Sequence, residues 1–262
     1  MIDLLQKVDS LNEEILSIHI APESFDFHAH RLHQLTYIIG GTTYLETRQY
    51  SYLVPARHFV WIPANYEHKF THKSKSPTSV YSLYVPIHDE MTQLFFEEIG
   101  LYPAPVLLIE ILKMISNQIM GKNTIPYNFV LNYLLLLPQS ISNKLKIALP
   151  ISSNNKMNDI THFINQNLDK ELTLDSIANK FNMSTRTLIR QFKIHMQISC
   201  LQYIKQARMV KAIELLLDDD LNVNEIAYHV GYKSISAFSN AFKEIMHTRP
   251  TDFAKMNSGN IT

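Results

Sequence analysis

Two groups of residues in this chain have the types and the spacing for chemistry. In "FHAHRLHQLTYIIGG" His28 and His30 stand two apart, so they share one face of an extended segment, and Gln34 stays in phase with them. Further on, "WIPANYEHKF" closes an extended run at Pro63 and brings up His68. Imidazoles in such a group can line a polar pocket or ligate a metal. The second group lies in "LDSIANKFNMSTRTLIRQFK", Leu174–Lys193. There Arg186 and Arg190 fall four apart on a helical pattern, opposite Leu188 and Phe192, with Ile189 beside them and Lys193 following. Two arginines one turn apart suit contacts to guanine edges, and a neighbouring lysine suits a phosphate.

The arginine-bearing pattern returns as "VNEIAYHVGYKSISAFSNAFK", Val223–Lys243. Ile177-Ala178 matches Ile226-Ala227, Ser184 matches Ser234, and both copies end in Phe-Lys, at Phe192-Lys193 and Phe242-Lys243. Each copy predicts helix, tight turn, helix. Thr173, Ser184, Asn222 (with Glu225) and Ser234 sit where N-caps belong. Asn182-Met183 and Gly231 supply the turns. "SISAFSNAF" also alternates like a strand, but Phe238, Ala241, Phe242 and Ile245 make a helical stripe, and the repeat favours the helix. Its outer face then carries Ser236, Ser239, Asn240 and Lys243. "SCLQYIKQARMVKAIELLL" between the copies has neither Gly nor Pro and predicts one rigid spacer helix, with Arg208 in a packing role. Two such units about 34 Å apart would let one chain enter successive major grooves.

The elements that must position these residues change character along the chain. Residues 15–90 are rich in β-branched and aromatic residues broken by turn signals, which predicts a sandwich or barrel, with Gly40-Gly41 as a hairpin turn. Eight of the twelve histidines precede residue 90, and His33, His58 and His72 are expected at the surface. From residue 91 the period becomes helical in "EMTQLFFEEIG", "VLLIEILKMISNQIM" and "YNFVLNYLLLLPQSI", the last stopped by Pro138. The polar stretch 149–157, "LPISSNNKM", reads as a linker, and everything beyond it as helix.

With 262 residues, 46% of them hydrophobic, the chain is long enough for two domains. Its zero net charge argues against a protein that coats nucleic acid non-specifically. One cysteine, Cys200, excludes an intrachain disulfide and a cysteine zinc site, and fits a reducing compartment. The first residues lack a secretory pattern and no apolar run is long enough to span a bilayer, so a cytoplasmic, non-membrane protein is expected.

The last hundred residues resemble the DNA-binding domain of AraC/XylS-type transcriptional regulators. The resemblance is carried by "LTLDSIANKFNMSTRTLIRQFK", "YIKQARMVKAIELL", "NVNEIAYHVGYKSISAFSNAFK" and "TRPTDF". It departs at Gln197 and His247, where that family usually has Gly a few positions after each Phe-Lys. The histidine-rich half resembles the two short motifs of cupin barrels, with Gly40 and Pro63 in their expected places, but with Gln34 for the usual Glu and Asn65 for a Gly. That resemblance implies a divalent-metal set of His28, His30, Gln34 and His68 inside a barrel; the same residues can instead line an effector pocket or be a structural remnant.

The expected architecture is therefore α+β and multidomain: a cupin-like β-barrel sensor over 1–90, a helical connector and dimerisation segment over 91–150, and an all-α double helix-turn-helix domain over 151–262. The expected function is a sequence-specific DNA-binding transcriptional regulator, not an enzyme. Its partners would be double-stranded DNA, RNA polymerase, a small-molecule effector and a second copy of the chain, with no cofactor required beyond a possible divalent metal. The DNA-contacting residues would be Arg186, Ile189, Arg190, Lys193, Ser236, Ser239, Asn240 and Lys243. The rival is a cupin metalloenzyme of the dioxygenase or isomerase class with a helical appendage; Gln34 in place of a carboxylate weakens it.

Overall fold

The computed structural model describes residues 2–21, 26–72, 79–91, 93–141, 144–218 and 221–258. The chain divides into two compact units, the first formed by residues 1–47 and 54–145, the second by 48–53 and 146–262.

In chain order the first unit runs α1 (Ile2–Ser10), β1 (Ile15–Ile20), β2 (His33–Ile38), β3 (Thr42–Glu46), the end of β4 (Tyr50–Pro55), β5 (His58–Ile62), β6 (Lys69–His72), β7 (Val80–Val85), α2 (Leu94–Glu97), β8 (Gly100–Pro103), α3 (Val106–Met114), β9 (Ile119–Met120) and α4 (Ile125–Ser140). Six strands make one sheet in the order β8-β5-β2-β7-β1-β9. β2 is central, paired antiparallel with β5 (Leu35 opposite Trp61) and with β7 (Leu35 opposite Leu83). β3 pairs with β6 in a different sheet, with Leu45 opposite Phe70.

This arrangement corrects two expectations. Gly40-Gly41 is not a two-residue hairpin turn between β2 and β3. Both edges of β2 are already occupied by β5 and β7, so the chain leaves that sheet at Gly41, which takes φ 66°, and enters the other. Nor do the strands close into a cupin-like barrel: the six-stranded sheet ends on β8 and β9, and among the described residues only an isolated bridge between His28 and His68 lies outside the named strands.

The strand alternation divides the residues of the large sheet between two faces. Leu35, Tyr37, Phe59, Trp61, Tyr81, Leu83 and Val85 form one core with Leu108, Ile111 and Leu112 of α3 and Tyr127, Val130, Leu134 and Leu137 of α4. Each such side chain contributes about 1.5–3 kcal/mol of burial. The region expected to be a helical connector thus also supplies β8 and β9, and the described residues of "EMTQLFFEEIG" form one helical turn, α2, before β8. Pro138 does not stop α4 either: it sits inside the helix, which runs on to Ser140. A proline forfeits a single bond to the residue four back, and buried Leu134 and Leu137 hold the last turn on the sheet.

Among the described residues the second unit contains the first residues of β4, paired antiparallel with β10 (Ala148–Pro150), and then seven helices: α5 (Asn155–Gln166), α6 (Leu174–Lys180), α7 (Thr185–Met196), α8 (Cys200–Asp218), α9 (Val223–His229), α10 (Ile235–Met246) and α11 (Pro250–Ser258). All the expected caps form. Thr173 and Ser176 make a capping box, as do Asn222 and Glu225, while Ser184 accepts from the Thr187 N–H and Ser234 from the Ala237 N–H. The two turns are built alike. Asn182 (φ 50°) and Gly231 (φ 81°) are left-handed, and the N–H of the next residue donates to the carbonyl of the repeated alanine, Met183 to Ala178 (3.0 Å) and Tyr232 to Ala227 (2.9 Å). That is the bond pattern of a Schellman end.

Gln197 and His247, the two departures from glycine, end α7 and α10 in the left-handed region at φ 58° and 57°. A side chain there costs energy that glycine does not, partly offset by glycine's freer unfolded chain. Gln197→Gly and His247→Gly should each stabilise the second unit by about 0.5–1 kcal/mol in chemical denaturation. A loss of stability in both would show that their side chains make compensating contacts.

Candidate functional site

On α7 the buried Leu188, Phe192 and Met196 face a core shared with Met157, Ile160 and Ile164 of α5 and Tyr203 and Ala207 of α8. That packing rotates Arg186, Ile189, Arg190 and Lys193 outward, all exposed, with Ile189 at 48%. On α10, buried Phe238, Phe242, Ile245 and Met246 do the same for Ser236, Asn240 and Lys243, which are exposed, and Ser239, which is half-buried. The structure therefore brings the predicted residues together as two faces, one per repeat, in matching registers. The first face is cationic; the second is neutral and polar up to Lys243. Among the described residues none of Arg186, Arg190, Lys193 and Lys243 is held by an acidic side chain.

The helix between the repeats, α8, is 19 residues long, about 28 Å at the α-helical rise. Arg208 on it has the packing role expected. Its Nε donates to the Leu168 carbonyl (3.2 Å), its guanidinium donates to the Lys170 carbonyl (2.9 Å), and the group lies over the Tyr232 ring. Lys205 and Glu244 (2.6 Å) tie α8 to α10, and Lys233 pairs with Glu171 (3.1 Å).

In the first unit, His28, His30 and His68 converge: one ring nitrogen from each lies within 4.8 Å of the others. Each ring is anchored through its Nδ1–H, donated to the Asp26 carbonyl by His28 (2.8 Å), to Leu32 by His30 (2.7 Å) and to Tyr66 by His68 (2.8 Å). A carbonyl can only accept, so these bonds leave Nε2 as the lone-pair nitrogen of each neutral ring. Burial holds His30 below its ordinary range and pushes His68 down to about 3, which keeps both neutral. The side-chain oxygen of Gln34 lies 2.9 Å from His30 Nε2 and 3.2 Å from His68 Nε2, and its Nε2 donates to Thr36 Oγ1 (2.9 Å). Thr36 Oγ1 is in turn 2.9 Å from Ser82 Oγ.

This cluster opens on a narrow cavity between the faces of β2 and β7 and those of β3 and β6. Its polar lining is His28, Gln34, Thr36, Thr43, His72 and Ser82, and its apolar walls include Leu4, Leu5, Phe70 and Tyr84. Among the described residues no acidic or basic side chain other than histidine lines it. His72 thus belongs to a pocket wall, where its Nδ1 is 2.8 Å from Thr43 Oγ1. His33 and His58, expected at the surface, are 7% exposed. His33 stacks on Trp61 and accepts from the Ala64 N–H (3.1 Å), and His58 donates to the Ala56 carbonyl (2.8 Å).

Burial pushes His33 and His58 each down to about 4. A histidine near 6.5 in the unfolded chain takes up its proton there first, so folding loses stability as pH falls from 6.5 toward 4. Each group contributes on the order of 3 kcal/mol at full extent. The melting temperature of the first unit should therefore fall across that window. A flat profile from pH 6.5 to 4 would contradict the burial of these rings.

A sheet-built half with a lined internal cavity is thus followed by two matching helix-turn-helix units. Comparison with known families agrees: an AraC-like ligand binding domain matches residues 11–107, and a helix-turn-helix domain matches residues 177–256. Over these two stretches the chain is similar to AraC-type helix-turn-helix proteins. It is similar to the HTH-type transcriptional activator RhaS of Salmonella schwarzengrund (strain CVM19633), 32% identical over 97 residues, 37% of this chain and 35% of that one. It is also similar to RhaS of Escherichia coli O157:H7, 28% identical over 145 residues, 53% of this chain and 50% of that protein. The matches thus span half or less of those relatives' length. Among solved structures, the C-terminal domain of AraT, a response regulator from Geobacillus stearothermophilus, aligns with 42% of this chain and 92% of that one, at 32% identity and a TM-score of 0.39. No helix among the described residues is long and apolar enough to cross a membrane.

Proposed function

We propose that the protein is a sequence-specific transcriptional regulator and not an enzyme, in which the first unit senses a small molecule and the second reads DNA with both helix-turn-helix units. The observation that carries this reading is the pair of outward faces in one register, Arg186, Ile189, Arg190 and Lys193 on α7 and Ser236, Ser239, Asn240 and Lys243 on α10. Arginines give base discrimination in the major groove, Ile189 meets a thymine methyl, and the two lysines hold phosphates. The named relatives are activators, which supports contact with RNA polymerase as the output. Selection of genomic fragments by the full-length protein at moderate salt tests this. A shared motif with two half-sites about 10 base pairs apart is expected; binding without any shared motif would overturn it.

The chain acts as a homodimer in this reading. Ile125, Phe129 and Leu136 leave α4 exposed at 87%, 47% and 58%, and Val106 at the start of α3 is 75% exposed. An apolar stripe of this kind favours a protein partner over water. A monomer in sedimentation at micromolar concentration would refute the dimer.

The cavity is the effector site, and its uncharged lining favours a neutral ligand over an anionic one. The cluster of His28, His30 and His68 with Gln34 is the place where a divalent metal would be held: three lone-pair nitrogens and one amide oxygen form a donor set suited to Zn²⁺ or Ni²⁺. A metal-dependent dioxygenase or isomerase is disfavoured, since Gln34 replaces the carboxylate such a centre would use and the DNA-reading half has no place in it. The cell interior is the compartment this function requires.

A further inference from the structure

We infer that Gln34 is a two-position switch: its side-chain amide turns over when a divalent metal enters the His28–His30–His68 cluster, and so reverses the hydrogen-bond order of the Thr36–Ser82 chain in the neighbouring cavity. The inference rests on reading the cluster as a metal site.

The Nδ1–H of each ring is spent on a backbone carbonyl, at Asp26, Leu32 and Tyr66, so the neutral rings of His30 and His68 turn the Nε2 lone pair toward Gln34. Gln34 reaches two of these nitrogens at 2.9 and 3.2 Å, and its amide has only two ways to meet them. With oxygen inward, three acceptors crowd together. That is repulsive by itself, but it is the donor set a cation wants, and oxygen inward requires the Gln34 N–H to donate outward to Thr36 Oγ1 (2.9 Å). With nitrogen inward, the two N–H groups donate to His30 and His68, and every one of these groups is satisfied without a metal. Gln34 oxygen then faces Thr36, which must donate to it.

The consequence lies along the chain. Thr36 Oγ1 is 2.9 Å from Ser82 Oγ, and each hydroxyl has one proton. When Thr36 accepts from Gln34, its own proton is left to point to Ser82, which frees the Ser82 proton for the cavity. When Thr36 donates to Gln34, it can no longer donate to Ser82; Ser82 donates to Thr36 and offers the cavity only lone pairs. Both Thr36 and Ser82 line that cavity. Metal occupancy therefore decides whether Ser82 offers a bound ligand a donor or an acceptor. No backbone movement is needed, and no proton leaves the site. The two sites are coupled through one amide, and the coupling must be reciprocal.

The test uses the full-length protein labelled with ¹⁵N at Gln and His side chains, stripped with a chelator and titrated with ZnCl₂. Gln34→Glu identifies the Gln34 amide resonance by its disappearance. The expected result is a simultaneous shift of the His28, His30 and His68 Nε2 resonances and of both Gln34 amide protons, with each Nδ1 remaining protonated throughout. Histidine shifts with an unmoved Gln34 amide would overturn the switch while leaving the metal site standing. No histidine shift with excess Zn²⁺ would overturn the metal reading and the switch with it, and would leave the DNA-binding reading untouched. As an independent measurement, Gln34→Glu, which can accept but cannot donate, should bind Zn²⁺ at least ten-fold more tightly in equilibrium dialysis. Unchanged affinity in that variant would count against the switch.

Discussion

Arg186→Ala and Arg190→Ala should each weaken binding to the selected DNA site by about 10- to 100-fold, the loss of about 1–3 kcal/mol per base-reading arginine. Both side chains are exposed on α7 and opposed by the buried Leu188 and Phe192, so removing them leaves the core intact. Thermal stability should change by no more than about 0.5 kcal/mol. The matching positions on α10 carry Ser236 and Asn240, and their alanine variants should cost less, about 0.5–1.5 kcal/mol for a single hydrogen bond each. Lys193→Ala should behave differently again, weakening all sequences alike and lowering the salt dependence by about one unit. Electrophoretic mobility shifts on specific and scrambled sites, at two salt concentrations, separate the three patterns. If the arginine variants bound both sites like the wild type, the cationic face of α7 would not be the base-reading face.

Gly231→Ala should destabilise the second unit by at least about 4 kcal/mol and abolish DNA binding at 37 °C. Two independent terms add here. The residue sits at φ 81°, where a side chain costs about 1–2 kcal/mol. A Cβ there would also lie 2.1 Å from the Leu168 carbonyl oxygen and 2.6 Å from the Arg208 guanidinium. The carbonyl belongs to the backbone just beyond α5 and cannot yield cheaply. Arg208 can retreat only by giving up its bonds to Leu168 and Lys170, worth about 1.5–3 kcal/mol for a charged donor. Asn182, at the equivalent turn of the first repeat, already carries a side chain at φ 50°, so the two repeats differ in what packs against their turns. Chemical denaturation followed by helix signal measures the effect. A loss below about 1 kcal/mol would show that the crowding at Gly231 relaxes freely.

Much of the second unit can be read from its residues because the information is local. A cap reaches three residues ahead, a helical stripe recurs every three or four, and a Schellman turn closes within six. Thr173, Ser184, Asn222 and Ser234 therefore marked the helix starts correctly, and the repetition of Ile-Ala and Phe-Lys identified a duplicated unit. Arg208 could be assigned to packing, but its acceptors, Leu168 and Lys170, lie about forty positions away and appear only in the fold.

The first unit shows the opposite balance. Alternation in "HQLTYI" and "SVYSLYV" predicts strands, and histidines two apart predict a shared face, so the composition of the His28–His30–His68 cluster was open to reading from the chain. Which strand pairs with which was not. A barrel and two open sheets share the same local pattern, and the choice lies in long-range hydrogen bonds: β2 is saturated by β5 and β7, strands that follow it by twenty residues or more, and that alone forces the chain off the sheet at Gly41. Burial of His33 and His58 follows from the same pairing: His33 stacks on Trp61 on the face that α3 and α4 cover, while His58 lies on the other face of β5, its ring bonded to the Ala56 carbonyl. The amino-acid sequence by itself determined the helices, their caps and the chemistry offered to a ligand or to DNA, all set by neighbours along the chain. The tertiary structure decided the open sheets, the cavity and the lone pairs that face Gln34, because those depend on contacts between residues the chain order keeps apart.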